Sequence, residues 1–107
     1  MAYDEIGRGI GAPTVGDGRK VVAAAGTAEA LSDTSLLVNS LLIVAETDNT
    51  GVIAVGGSTV VATVLTRRGA PLLAGEALPL GPVDLADIYL DATVAGDGVT
   101  YMYLRRA

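Results

Sequence analysis

The chain has no cysteine, no histidine, no tryptophan and no phenylalanine. Without cysteine there is no disulfide framework, and thiol usage says nothing about compartment. Without histidine or cysteine, nucleophilic triads and most zinc sites lack their usual members. Carboxylate pairs are the remaining route to acid–base work, so the chain reads as a non-enzyme with no cofactor. Long apolar runs are also missing. The longest are Val21 to Ala25 and Leu41 to Ala45, far short of the ~18–20 residues of a spanning helix. The stretch Met1-Ala2-Tyr3-Asp4-Glu5 is acidic and has no secretory-signal pattern. The expectation is a soluble protein made inside a cell and not bound to a membrane. Basic charge is scarce, with 7 Lys and Arg against 12 Asp and Glu and a net charge of −5. That balance argues against nucleic-acid binding, which needs a basic surface. The arginine doublets Arg67-Arg68 and Arg105-Arg106 read as solvated turn and tail charge.

What is present is aliphatic. Half of the 107 residues are hydrophobic, four tyrosines are the whole aromatic content, and mean hydropathy is +0.50. A core without large rings is filled by branched aliphatics, which suit a pleated sheet. The length fits one domain, and so small a body buries only roughly 60–70% of its unfolded surface. Soluble monomers rarely expose apolar patches beyond a few hundred Å². The surplus therefore points to burial against other subunits.

Residues 1–18 stand apart. Gly7, Gly9, Gly11, Gly16 and Gly18, with Pro13 among them, oppose a helix or a central strand. They read as a flexible or extended arm that reaches a neighbouring subunit at about 3.3 Å per residue. Residues 19–107 read as a single β domain. Its strands are expected at Arg19 to Ala24, weakly at Thr27 to Leu31 (where one helical turn is the alternative), and over Leu36 to Glu46 with a bulge at Asn39-Ser40. The turn residues Thr47-Asp48-Asn49-Thr50-Gly51 then make Leu41 to Val55 a hairpin. Val60 to Leu65 and the region around Glu76 to Leu78 read as short strands, and Pro79 and Pro82 confine the latter to an edge or an end. Val83 to Asp87 reads as a tight turn. In the next strand Ile88, Leu90, Ala92 and Val94 share one face, and Tyr89, Asp91 and Thr93 share the other. Gly96-Asp97-Gly98 reads as the turn of a second hairpin, with a positive φ at Gly98. The strand Val99 to Leu104 returns from it. Turn signals recur roughly every 8–12 residues without a 3.6-residue period. The expected fold is all-β: a compact antiparallel β-sandwich or barrel with an extended glycine-rich N-terminal arm.

Chemical signals are weak. Asp84, Asp87 and Asp91, or Glu46 with Asp48, are the carboxylate pairs on offer, and each sits at an expected turn or polar face. Asp48-Asn49-Thr50 has too few carboxylates for calcium and reads as an Asx turn. Gly7-Arg8-Gly9-Ile10-Gly11 is neither a dinucleotide nor a P-loop fingerprint. Tyr101 and Tyr103, two apart, project from one sheet face, and Tyr89 lies on the preceding strand. Two roles stand open for them: an aromatic patch for a protein or sugar, or rings that cap the core with their hydroxyls at its rim.

The order of these segments resembles small virion structural proteins of tailed bacteriophages, of the kind that decorate heads. The resemblance is carried by Leu42 to Ser58, Gly69 to Glu76, Asp84 to Ala92 and Gly98 to Tyr103. It spans about residues 19–104 and leaves the N-terminal arm outside. It implies a β-rich virion protein at the capsid surface, made in the host cytoplasm. Such a protein self-associates as a multimer such as a trimer, and binds and reinforces the lattice of the major capsid protein or another virion protein. Independently of the resemblance, the candidate partner-binding residues read from the sequence are Tyr89, Tyr101 and Tyr103, with Gly7, Gly9 and Gly11 in the arm. The alternatives are a tail, neck or head-fibre component, and a small glycan-binding β module using the three tyrosines.

Overall fold

Alternation along Ser40–Ala45 builds the centre of the protein: Leu41, Ile43 and Ala45 are buried, while Ser40, Leu42 and Val44 are only partly covered. The computed structural model describes residues 13–106. Its strands are β1 (Thr14–Val21), β2 (Glu29–Ala30), β3 (Leu37–Val38), β4 (Ser40–Ala45), β5 (Ile53–Gly56), β6 (Ala70–Leu72), β7 (Ala77–Leu80), β8 (Val83–Asp84), β9 (Tyr89–Ala92) and β10 (Gly98–Arg105). Short 3-10 turns occupy Val64–Thr66 and Leu85–Asp87. No described helix is long and apolar enough to cross a membrane.

The strands form two four-stranded antiparallel sheets and a two-stranded ribbon. The first sheet runs β1-β10-β4-β7, the second β2-β9-β5-β6, and β3 pairs with β8. Ile43, Leu41, Ala45 and Val99 of the first sheet meet Ile53, Val55, Leu72, Leu90 and Ala92 of the second in one core, closed by Val22, Leu31, Val38, Leu85 and Ile88. Two inward-facing aliphatic layers hold the sheets together in the manner of a sandwich. The all-β fold expected from composition is the fold observed. Proline falls where a missing N–H is harmless: Pro79 is in β7 and Pro71 in β6, both at sheet edges.

Several local expectations change. Residues 14–18, assigned to the arm, belong to an ordered edge strand, and β1 pairs with β10 over its whole length across the expected boundary at residue 19. Glycine is tolerated there because Gly16 and Gly18 lie opposite Tyr103 and Tyr101. A Cβ on either glycine would run into the facing ring, so the rings supply the cover the glycines lack. Gly7, Gly9 and Gly11 lie outside the described residues. The expected strand over Leu36 to Glu46 divides at Asn39, β3 joining β8 and β4 joining the first sheet. Thr27 to Leu31 contributes the two-residue β2, not a helical turn.

Neither expected hairpin forms. β4 pairs with β10 and β7, whereas β5 pairs with β6 and β9. β9 and β10 likewise belong to different sheets. Both connections carry the chain from one sheet to the other, since the aliphatic faces they join approach one core from opposite sides. Gly98 is not among the glycines of positive φ. Among the described residues those are Gly26, Gly69, Gly75 and Gly96. What requires glycine at 98 is space: a Cβ would lie 2.7 Å from the Lys20 carbonyl oxygen. Val60 to Leu65 is not a strand. It contains one bridge, Val61 to Arg68, and the 3-10 turn that follows.

Candidate functional site

The two sheets differ in what covers their outer faces. Behind the second sheet, Ala54, Val60 and Ala62 form a second buried cluster, with Ala28 and Tyr89 packed on it. The segment after β5 therefore folds over that face. Asp91, on the expected polar face, is pulled inside by this cover and is only 1% exposed. Its Oδ1 accepts the Gly26 and Ala92 N–H groups, both at 2.9 Å, and its Oδ2 accepts Ala62 N–H at 2.8 Å. The carboxylate is a staple for loops that would otherwise bury unpaired donors.

Among the described residues nothing comparable covers the first sheet. Its outward set follows from the register: Val15, Asp17 and Arg19 on β1; Leu104, Met102 and Thr100 on β10; Ser40, Leu42 and Val44 on β4; Pro79 and Ala77 on β7. Met102 lies between Asp17 and Leu42, and Leu42 faces Pro79. Val15 is 68% exposed and Met102 47% exposed, with Leu42, Val44 and Leu104 partly covered. Apolar side chains thus run continuously across three strands of an open face. At one end a hollow is lined by Arg19, Val44, Glu46, Asp48 and Thr100. There the Arg19 guanidinium grips both Glu46 oxygens, Nη2 to Oε1 at 3.0 Å and Nε to Oε2. That pairing holds the Glu46 carboxyl below its ordinary value and raises Arg19.

The tyrosines do not assemble. Tyr101 and Tyr103 stack with ring centroids 6.4 Å apart, lean over Gly18 and Gly16 and pack against the main core. Burial, then the neighbouring Tyr103 and Asp17, raise the Tyr101 hydroxyl above its ordinary value. Tyr89 is in the other sheet and packs on the second cluster.

The carboxylates raised by the sequence are occupied or isolated. Asp84 accepts Leu36 and Ala86 N–H at 2.9 Å and the Ser35 hydroxyl. Ser35 first, then those amides, hold it below its ordinary value. Asp48 and Asp87 are exposed. Among the described residues no group of three or more potential metal ligands converges. The Asn49 amide pairs with Gly98 instead, accepting its N–H and donating to its carbonyl, both at 2.9 Å.

Sequence reasoning missed the outward stripe of the first sheet. The alternation Val15-x-Asp17-x-Arg19-x-Val21 was its signal at the edge, hidden by the glycines between. Comparison with protein-family models, curated proteins and solved structures returned no match.

Proposed function

We propose that this chain is a structural virion protein of a tailed bacteriophage, a self-associating decoration or minor capsid protein that binds and reinforces the capsid lattice. The observation that carries this reading is the open apolar face of the first sheet, where Val15, Leu42, Val44, Met102 and Leu104 stay accessible while the second sheet is covered. A contiguous apolar face of this kind marks a docking surface. At ~25 cal/mol per Å², each 1,000 Å² of apolar surface covered contributes about 25 kcal/mol gross before association costs. The segment resemblance supplies the class of partner, a capsid lattice. The stacked tyrosines are engaged by glycines and core, so no observation favours a glycan-binding role.

The test is co-sedimentation with undecorated capsids. Wild-type protein is expected to pellet with the shells and saturate. Met102→Asp, at an exposed position, is expected to bind at least tenfold more weakly while keeping its β-sheet circular dichroism. Wild-type protein that stays in the supernatant at saturating concentration overturns the proposal. Imaging labelled protein on particles separates a head location from a tail, neck or head-fibre one.

A further inference from the structure

The first sheet ends on one side at β7, blunted by Pro79, and the second at β6, blunted by Pro71, and at the two-residue β2. Among the described residues only β1 presents a long edge free of proline, eight residues from Thr14 to Val21. Its polarity follows from the next residue. Val22 N–H donates to the Asp97 carbonyl and the Val22 carbonyl accepts Gly96 N–H, both at 2.9 Å. Val22 therefore turns both backbone groups toward the β10 side. On β10 the alternation agrees: the Gly98 and Leu104 carbonyls turn the other way, to Glu46 N–H at 3.0 Å and Asn39 N–H at 2.7 Å. In an antiparallel ladder this direction alternates residue by residue. Val15, Asp17, Arg19 and Val21 thus aim their N–H and C=O groups at the open edge, and their side chains lie on the outer face.

From this we propose that two copies of the chain join edge to edge through β1, antiparallel about a two-fold axis at Gly18, making one continuous eight-stranded sheet. In this register Val15 faces the second copy's Val21 and Asp17 faces its Arg19, and by symmetry each relation occurs twice. All four outward N–H and all four outward C=O groups of each copy find partners. The neighbouring registers are rejected by charge: sliding one way sets Asp17 against Asp17, the other way Arg19 against Arg19. Opposite charges across a strand pair stabilise it and like charges do the reverse. On the inner face Gly18 meets Gly18, and Lys20 meets Gly16. An inward lysine ordinarily blunts an edge. Here its ammonium is held within its own subunit by Glu29 at 3.2 Å, away from the edge. The edge joint shares Val15, Asp17 and Arg19 with the rim of the outer face, but it rests on backbone polarity and register and does not depend on the capsid reading.

Charge reversal tests it by sedimentation equilibrium. Wild-type protein is expected to be a dimer. Asp17→Arg, which leaves the Arg19–Glu46 pair intact, puts a second guanidinium opposite Arg19 at both symmetry-related positions and is expected to raise the dimer dissociation constant roughly tenfold to a hundredfold. Arg19→Asp sets two carboxylates together with the same direction of effect, and because it also removes the Arg19–Glu46 pair its β-sheet circular dichroism is checked beside it. Mixing the two variants restores an opposite-charge pair at each position, so a heterodimer of the Asp17→Arg and Arg19→Asp proteins is expected at concentrations where each alone is monomeric. A wild-type monomer at hundreds of micromolar overturns the joint, as does a dimer insensitive to both reversals or a mixture that fails to associate.

Discussion

Asp91 is the residue whose role the sequence concealed most fully. Alternation in Ile88 to Val94 set it on the same side as Tyr89 and Thr93, and it is on that side. The pattern carried no sign that residues 57–62 and 26–28 would close over it, because that cover comes from segments distant in the chain. Its two oxygens take three backbone N–H groups. Removing them strands donors in a site where Ala62 and Ala54 are fully buried. Asp91→Ala is expected to destabilise the fold by about 3–5 kcal/mol, since each orphaned buried donor costs about 1–3 kcal/mol. Asp91→Asn, which keeps one acceptor oxygen, is expected to lose less. Urea unfolding followed by circular dichroism ranks the two, and an Asp91→Ala protein as stable as wild type would remove the staple. Gly16 and Gly18 teach a related lesson. Glycine in a segment with proline reads as a flexible arm, yet a tyrosine ring from the neighbouring strand makes each a sound strand position.

At the scale of elements, the strands were legible and their partners were not. Leu41, Ile43 and Ala45 announce a half-buried strand, and Pro79 announces an edge. Both are local statements about one residue's neighbours in sequence. Pairing is set by which apolar faces must share a core, and two aliphatic strands joined by a polar loop satisfy that either as a hairpin or as a step between sheets. Here Asn49 decides for the step. Its side-chain amide imitates a strand neighbour, exchanging two hydrogen bonds with Gly98 at the start of β10, while Asp97 accepts Thr50 and Gly51 N–H at 3.1 and 2.8 Å. One crossover is thereby clamped to the other. Asn49→Ala leaves the buried Gly98 N–H without that acceptor and is expected to destabilise by about 1–3 kcal/mol. The exposed neighbour Thr50→Ala is expected to be near neutral. Thermal melts of the two variants side by side check this, and equal melting temperatures would show the clamp to be idle.

At the scale of the molecule, the described residues make one covered sheet and one open sheet, a body with a back and a face, and few of its groups titrate near neutrality. No histidine or cysteine is present, so no side chain has an ordinary pKa between about 5 and 8. The acid limb comes from carboxyls held low in the fold. Glu46 is held by Arg19. Asp84 is held by Ser35 and two amides. For Glu29, burial works against ionisation but is outweighed by Ala24 N–H, Lys20 and Ala23 N–H. A carboxyl with a depressed folded pKa contributes stability above its unfolded value, 4.5 for Glu and 3.8 for Asp, and that stability is lost as pH falls through the folded value. The alkaline limb comes from Tyr101, whose folded pKa is raised above 10.0. Its contribution is complete below 10.0 and disappears as pH rises through the folded value. Melting temperature is therefore expected to form a plateau from about pH 5 to 9, falling below and above it. Tyr101→Phe keeps the ring over Gly18 and is expected to flatten only the alkaline limb. Glu46→Gln is expected to soften only the acid one. A sloping profile across neutral pH, or an alkaline limb unchanged in Tyr101→Phe, would mean that other groups govern the stability of the assembled sheets.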